Sequence, residues 1–199
     1  MRRRRYGDAG QAFPIYIVVV AGLLFLAFAY LAVGQAAATR NGAQTAADAA
    51  ALAAAQDTRD QLADMWVDVV LDPTKWQDIL DGDAAVLDGC ARAYELAAQN
   101  DAQATGCEPQ PARPGYTVEV RTNKPVGDTI VPGTENQYAT ASATAVIEPL
   151  CTFPLPGEDA GDDTLPQLTC KDGEEWTLDP DDLTELPGPE DLFDVHLAD

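Results

Sequence analysis

The sequence predicts an α+β protein. A long amino-terminal transmembrane helix continues into a small extracytoplasmic head with two further short helices and a small antiparallel sheet, stapled by disulfides and followed by an acidic, partly disordered tail. Three observations predict this. An uncharged run from Ala9 to Thr39 passes, with no proline after Pro14, into the alanine-rich stretch TAADAAALAAA. Two alternating segments, YTVEVRT and YATASATAVIEP, follow a proline-rich connector. All the cysteines lie beyond the predicted span.

At 199 residues the chain has room for one modest core plus appendages. Charge splits it sharply. Residues 1–40 carry five arginines against the single acid Asp8, and residues 41–199 carry seven Lys/Arg against thirty-two Asp/Glu, a net charge of −25 for the later part. Such a field repels nucleic-acid phosphates and anionic lipid, and favours cations, basic partners or plain solubility. No nucleic-acid partner is expected.

Residues 1–11 read as a basic cytoplasmic leader and residues 12–34 as the transmembrane helix. Ala12 to Gly34 is 23 predominantly apolar residues, about 35 Å of helix at about 1.5 Å per residue, enough for a hydrocarbon core of about 30 Å. The bilayer is therefore the first expected partner. Arg2, Arg3, Arg4 and Arg5 immediately precede the run, and the positive-inside rule holds them in the cytoplasm with the acidic remainder outside. Ala36 to Ala38 satisfies the small-residue pattern of an export cleavage site, yet the apolar run before it exceeds the roughly 7 to 15 residues of a secretory signal. RRRRYGD lacks the rest of a twin-arginine signal. An uncleaved or only amino-terminally trimmed anchor is the expectation, and cleavage after Ala38 is the rival.

The head is assigned to residues 35–151. From Gln35 to Leu71 there is no proline, and Gly42 is the sole breaker, so strong helix formers predict one rod running from the membrane into the head. Leu52, Ala55, Leu62, Met65, Trp66, Val69 and Val70 fall near one stripe at helical spacing. Pro73 ends the rod or restarts it. A helix over about residues 73–81 takes Asp72 as N-cap and Pro73 at its first position. Another, over about 83–100, presents Val86, Leu87, Cys90, Tyr94 and Leu96 to Ala98 as its apolar face. Past the connector GCEPQPARPG, a strand over about 116–122 alternates Tyr116, Val118 and Val120 with Thr117, Glu119 and Arg121. The loop after it has room for a short strand at Thr129 to Val131. The last strand, over about 138–148, carries small alanines on one face, which lets a helix approach closely, so the sheet should pack on the rod or its companions.

Residues 152–199 hold fifteen acids, one lysine and six prolines, a composition that cannot bury enough apolar surface to order itself fully. Two islands, DPDDLTEL and GPEDLFDVHLAD, place Pro at a helix start with acids in the first turn. They read as short helices able to dock on the head or on a partner.

Cys90, Cys107, Cys151 and Cys170 lie on the predicted outer side, where an even count reads as two disulfides. Four cysteines admit three connectivities. Cys90 with Cys107 and Cys151 with Cys170 is favoured, because each pair closes a short loop worth about 3 kcal/mol in the chain-entropy model. No C-x-x-C occurs and His196 is the one histidine, so a zinc site is not expected.

Catalysis asks for a nucleophile, a proton carrier or a metal held in a pocket. The chain offers one serine, Ser142 in mid-strand, with His196 and the lysines Lys75, Lys124 and Lys171. These make no triad. Phosphate loops and paired metal-binding histidines are absent from the sequence. Asp78, Asp81, Asp83 and Asp88 miss the register of a calcium loop. No enzymatic activity, cofactor, metal or small-molecule substrate is expected. Tyr30 reads as an interface anchor, and Trp66 and Trp76 as core.

The stretch GDAGQAFPIYIVVVAGLLFLAFAYLAVGQAAATRNGAQTAADAAALAAAQ resembles the amino terminus of TadE/TadG-like proteins of the tight-adherence (Flp-type) pilus system, which belong with the type IV pilin-like proteins. In that family a short basic leader ending in Gly precedes a hydrophobic helix and then a stretch very like Thr45 to Ala55. The resemblance implies a subunit that parks its helix in the membrane and can pack it beside others in a pseudopilus or at a filament tip. Ala21, Gly22, Ala27, Ala29, Ala32, Gly34 and the run Ala36 to Ala38 permit such close approach. It also implies leader processing after Gly10, with Gln11 first in the mature chain and a Glu five residues in. Ile15 holds that position here, with Pro14 before it, and no acid occurs between Asp8 and Asp48. The departure favours an unprocessed TadG-like membrane protein. The expected function is a non-enzymatic, membrane-anchored accessory or minor-pilin-like component of a Tad/Flp-type pilus or secretion apparatus, acting by assembly with its other subunits. The alternative is an exported acidic binding module that captures a basic partner or cations.

Overall fold

The computed structural model describes residues 12–111, 113–125, 136–154, 165–171 and 173–198. Arg2, Arg3, Arg4, Arg5, Gly10, Gln11 and the short strand expected at Thr129 to Val131 lie outside the described residues. Span and rod are one helix: α1 runs over Ala12–Asp68, 57 residues, about 85 Å at about 1.5 Å per residue. Its last turn tightens, with the Val69 N–H shared between the carbonyls of Met65 and Trp66 and the Asp72 N–H donating to Val69 at 2.8 Å. Pro73, lacking an N–H, cannot extend it. The Trp76 indole N–H also donates to the Val69 carbonyl, at 3.2 Å, so this one acceptor takes two donors at the helix end.

A single 3-10 turn, Pro73–Lys75, leads into α2, Trp76–Leu80. Asp72 precedes Pro73 as expected, but its carboxylate makes no capping hydrogen bond. It accepts instead from the Thr74 hydroxyl and pairs with Lys75 at 3.0 Å. Thr74 first, then Lys75, holds this carboxyl below its ordinary value.

Helix is expected over about 83–100, whereas α3 covers only Cys90–Gln99. Gln61 on α1 is the reason. Its side-chain amide donates to the Leu87 carbonyl at 3.2 Å and accepts from the Leu87 N–H at 2.7 Å, which satisfies in extended form the two groups a helix would have paired. Gly89 then brings the chain against α1, where any Cβ would be driven into the Ala54 carbonyl. Strand β1, Ala102–Pro109, occupies part of what reads in sequence as the connector. The turn between α3 and β1 is made by Asp101, at φ 55°, a left-handed conformation that Asp tolerates better than most residues.

β1 pairs antiparallel with β2, Gly115–Thr122, through a bulge between Ala104 and Gly106. β2 pairs with β3, Thr140–Pro149, with Val118 opposite Ala143. The fourth strand comes from the acidic end of the chain. GPEDLFDVHLAD reads in sequence as a helix, but only Pro189–Leu192 is helical (α4), and Phe193–Leu197 is a strand, β7, antiparallel to β3. Pro and early acids do start a helix here, but Phe193, Asp194, Val195 and His196 alternate, and the open edge of β3 captures them. DPDDLTEL is likewise not helical and makes an isolated bridge between Asp179 and Asp182. A second, small sheet joins β4, Cys151–Thr152, β5, Leu168–Cys170, and β6, Glu175–Trp176. The docked part of the acidic segment buries Leu168, Leu178, Leu192 and Phe193 in the common core.

α1 and α3 cover the four-stranded sheet β1-β2-β3-β7. Ala46, Ala47, Ala50, Ala51, Ala54 and Ala55 are fully buried beneath it. Further along α1, Leu62, Trp66 and Val70 continue the same face. One polar cluster interrupts this core. The buried Thr58 hydroxyl lies 2.9 Å from the Tyr116 hydroxyl, which also accepts from the Gly89 N–H at 3.1 Å. Tyr116→Phe is expected to cost about 1–3 kcal/mol, since both neighbours then lie buried and unpaired. The midpoint of urea unfolding measures it, and an unchanged midpoint would show that the cluster contributes nothing.

Candidate assembly surface

From Phe13 to Gly42 no described part of the head covers α1. Phe13, Tyr16, Val18, Phe25, Tyr30 and Val33 are each exposed by half or more, a state that water does not favour. The helix contains a window of mean hydropathy 2.6, none of it buried, and it is long and apolar enough to cross a membrane. A core helix of like composition would lie inside its own fold. The small residues Ala36, Ala37 and Ala38 are exposed too.

At Ala43 the same helix changes partners. The alanines of Thr45 to Ala55 face the sheet and α3, with six of them fully buried, so this element is occupied within the head. Small side chains let backbone approach backbone here, just as Gly89 does against Ala54. Gln44 marks the crossover, its amide reaching the Ser142 carbonyl at 3.5 Å.

Both disulfides are local. Cys90–Cys107 ties the start of α3 to β1 across a separation of 17 residues, and Cys151–Cys170 joins directly paired positions of β4 and β5 across 19. Ser142 lies opposite Glu119 on β3, and His196 opposite Val146 on β7, where its Nδ1 is 2.8 Å from the Asp194 carboxylate. The two are not brought together. No group of three His, Cys, Asp or Glu side chains among the described residues is placed to hold a metal ion.

The far end of α1 carries a feature that the sequence alone does not single out. Met65, Val69, Ile79 and Ala84 floor a groove of about 360 Å³ between α1, α2 and the segment after it, rimmed by Asp68, Asp78, Asp83 and Lys75. Met65 and Val69 fall on the predicted apolar stripe, and both are only half-buried. Two stripe residues next to a cluster of acids are the available signal.

Residues 10–57 match the family model described as "Putative Flp pilus-assembly TadE/G-like". The similarity to TadE/G-like proteins covers about a quarter of the chain. No curated protein and no solved structure matches the chain. The TadE/G-like segment takes in the whole exposed shaft and the buried alanine face, and stops one residue before Thr58. The strands, the disulfides and the groove all lie beyond it. The match supports a component associated with the Tad pilus, one that would meet other pilus subunits.

Proposed function

We propose that the protein is a non-enzymatic, single-span accessory or minor-pilin-like component of a Tad/Flp-type pilus or secretion apparatus, which acts by assembly. The observation that carries this reading is the TadE/G-like match falling on a helix that is bare over its apolar half and packed over its alanine half. Residues 12–34 sit in the bilayer, Arg2 to Arg5 hold the leader in the cytoplasm, and the acidic head stands outside, where its disulfides persist. Ile15 in place of the acid that pilin-like processing uses favours retention of the leader at Gly10 and Gln11.

Protease added to sealed cells is expected to digest the head and leave a membrane-embedded stub, while alkaline extraction leaves the undigested protein in the membrane pellet. A protected head or a soluble full-length product would overturn the topology. Intact mass separates the remaining cases. A mass beginning after Ala38 would transfer the protein to the class of released acidic binding modules.

A further inference from the structure

We infer that the groove at the membrane-distal end of α1 docks a basic segment of a partner subunit, one that presents an apolar side chain between lysines or arginines. This rests on the assembly reading and deepens it by naming the chemistry of the partner. At about 360 Å³ the groove is near the small end of the range for binding pockets, about 300–1,000 Å³. Its floor is apolar, and Met65 is a side chain that adapts to its neighbours.

The rim decides the sign of the partner. Asp68, Asp78 and Asp83 are exposed, and their carboxylates have no partner among the described residues. Lys75, also on the rim, is already paired with Asp72 at 3.0 Å, so it offsets the three free carboxylates only in part. Residues 64–88 hold seven aspartates against that single lysine, within an outer part that is strongly acidic as a whole. A second copy offering its own head would bring like charge to like charge. A basic segment gains from the rim and covers the floor, and long-range attraction speeds its encounter.

The test uses the full chain in phosphatidylcholine nanodiscs, with empty nanodiscs as blank, and a fluorescein-labelled peptide of alternating Lys and Leu as probe. Fluorescence anisotropy is expected to report binding that weakens with salt, and none for the Lys/Ser or Glu/Leu peptides. Replacing the rim (Asp68→Asn, Asp78→Asn, Asp83→Asn) should weaken binding about tenfold or more. Removing three acids at the membrane-proximal end of the head (Asp48→Asn, Asp101→Asn, Glu119→Gln) should change it less than about twofold. Ala84→Trp, which fills the groove and keeps every charge, should abolish it. Equal loss from the two triple variants, indifference to Ala84→Trp, or no binding of the Lys/Leu peptide would each overturn the inference. None of these outcomes bears on topology, so the assembly reading stands or falls separately, by protease and extraction.

Discussion

Trp66→Ala is expected to cost the head about 3–5 kcal/mol, the usual toll of truncating a fully buried tryptophan. Trp66 is completely buried, with its ring 5.2 Å from that of Trp76, which in turn lies 5.1 Å from Phe153. The three rings tie α1, α2 and the chain leaving β4 into one cluster. The Trp66 indole N–H has no hydrogen-bond partner among the described residues, so the loss is one of packing. In thermal unfolding followed by near-ultraviolet circular dichroism, Tm should fall by about 10 °C for a chain of this size. Trp66→Phe should lower it by less. Membrane retention should be unchanged in both, because residues 13–34 touch none of these rings. A Tm within about 2 °C of the parent would show that the cluster does not hold the head to the rod.

Removing either disulfide is expected to cost about 3 kcal/mol by the chain-entropy account, but the two losses should look different. Cys90→Ser with Cys107→Ser frees α3 from β1 and should lower the stability of the whole head. Cys151→Ser with Cys170→Ser acts on strands of two, three and two residues, which are too short to stand alone. Hydrogen exchange should therefore rise first over residues 151–154 and 165–178, with α1 still protected. Uniform exchange in both variants would refute separate roles. Because Phe153 lies close to Cys151 in sequence and beside Trp76 in space, the second loss should not add simply to that of Trp66→Ala.

The large features are plain in the sequence. A run without charge or proline specifies α1, and alternation specifies β2 and the start of β3, where apolar period and burial agree; further along β3, Ala145, Val146 and Ile147 are all buried. β1 is hidden, since AQATGCEP has small residues in place of β-branched ones and its pairing comes from β2. The pair Asn100 and Asp101 is a legible stop, both residues being prone to left-handed turns. β7 is masked because Pro189 and its acids do begin a helix, and only the open edge of β3 turns Phe193 to Leu197 into a strand. The groove is least legible. Met65 and Val69 look like ordinary core, and nothing local says that the segment after α2 will be pinned by Gln61 and leave them half-covered.

The single helix shared by bilayer and head has a mechanical corollary. With no joint between the span and Asp68, leaning the shaft by about 10° within the lipid sweeps its far tip sideways by about 12 Å. A neighbour that nudges the buried part would thus re-aim the groove across several atomic diameters without disturbing a single contact inside the head.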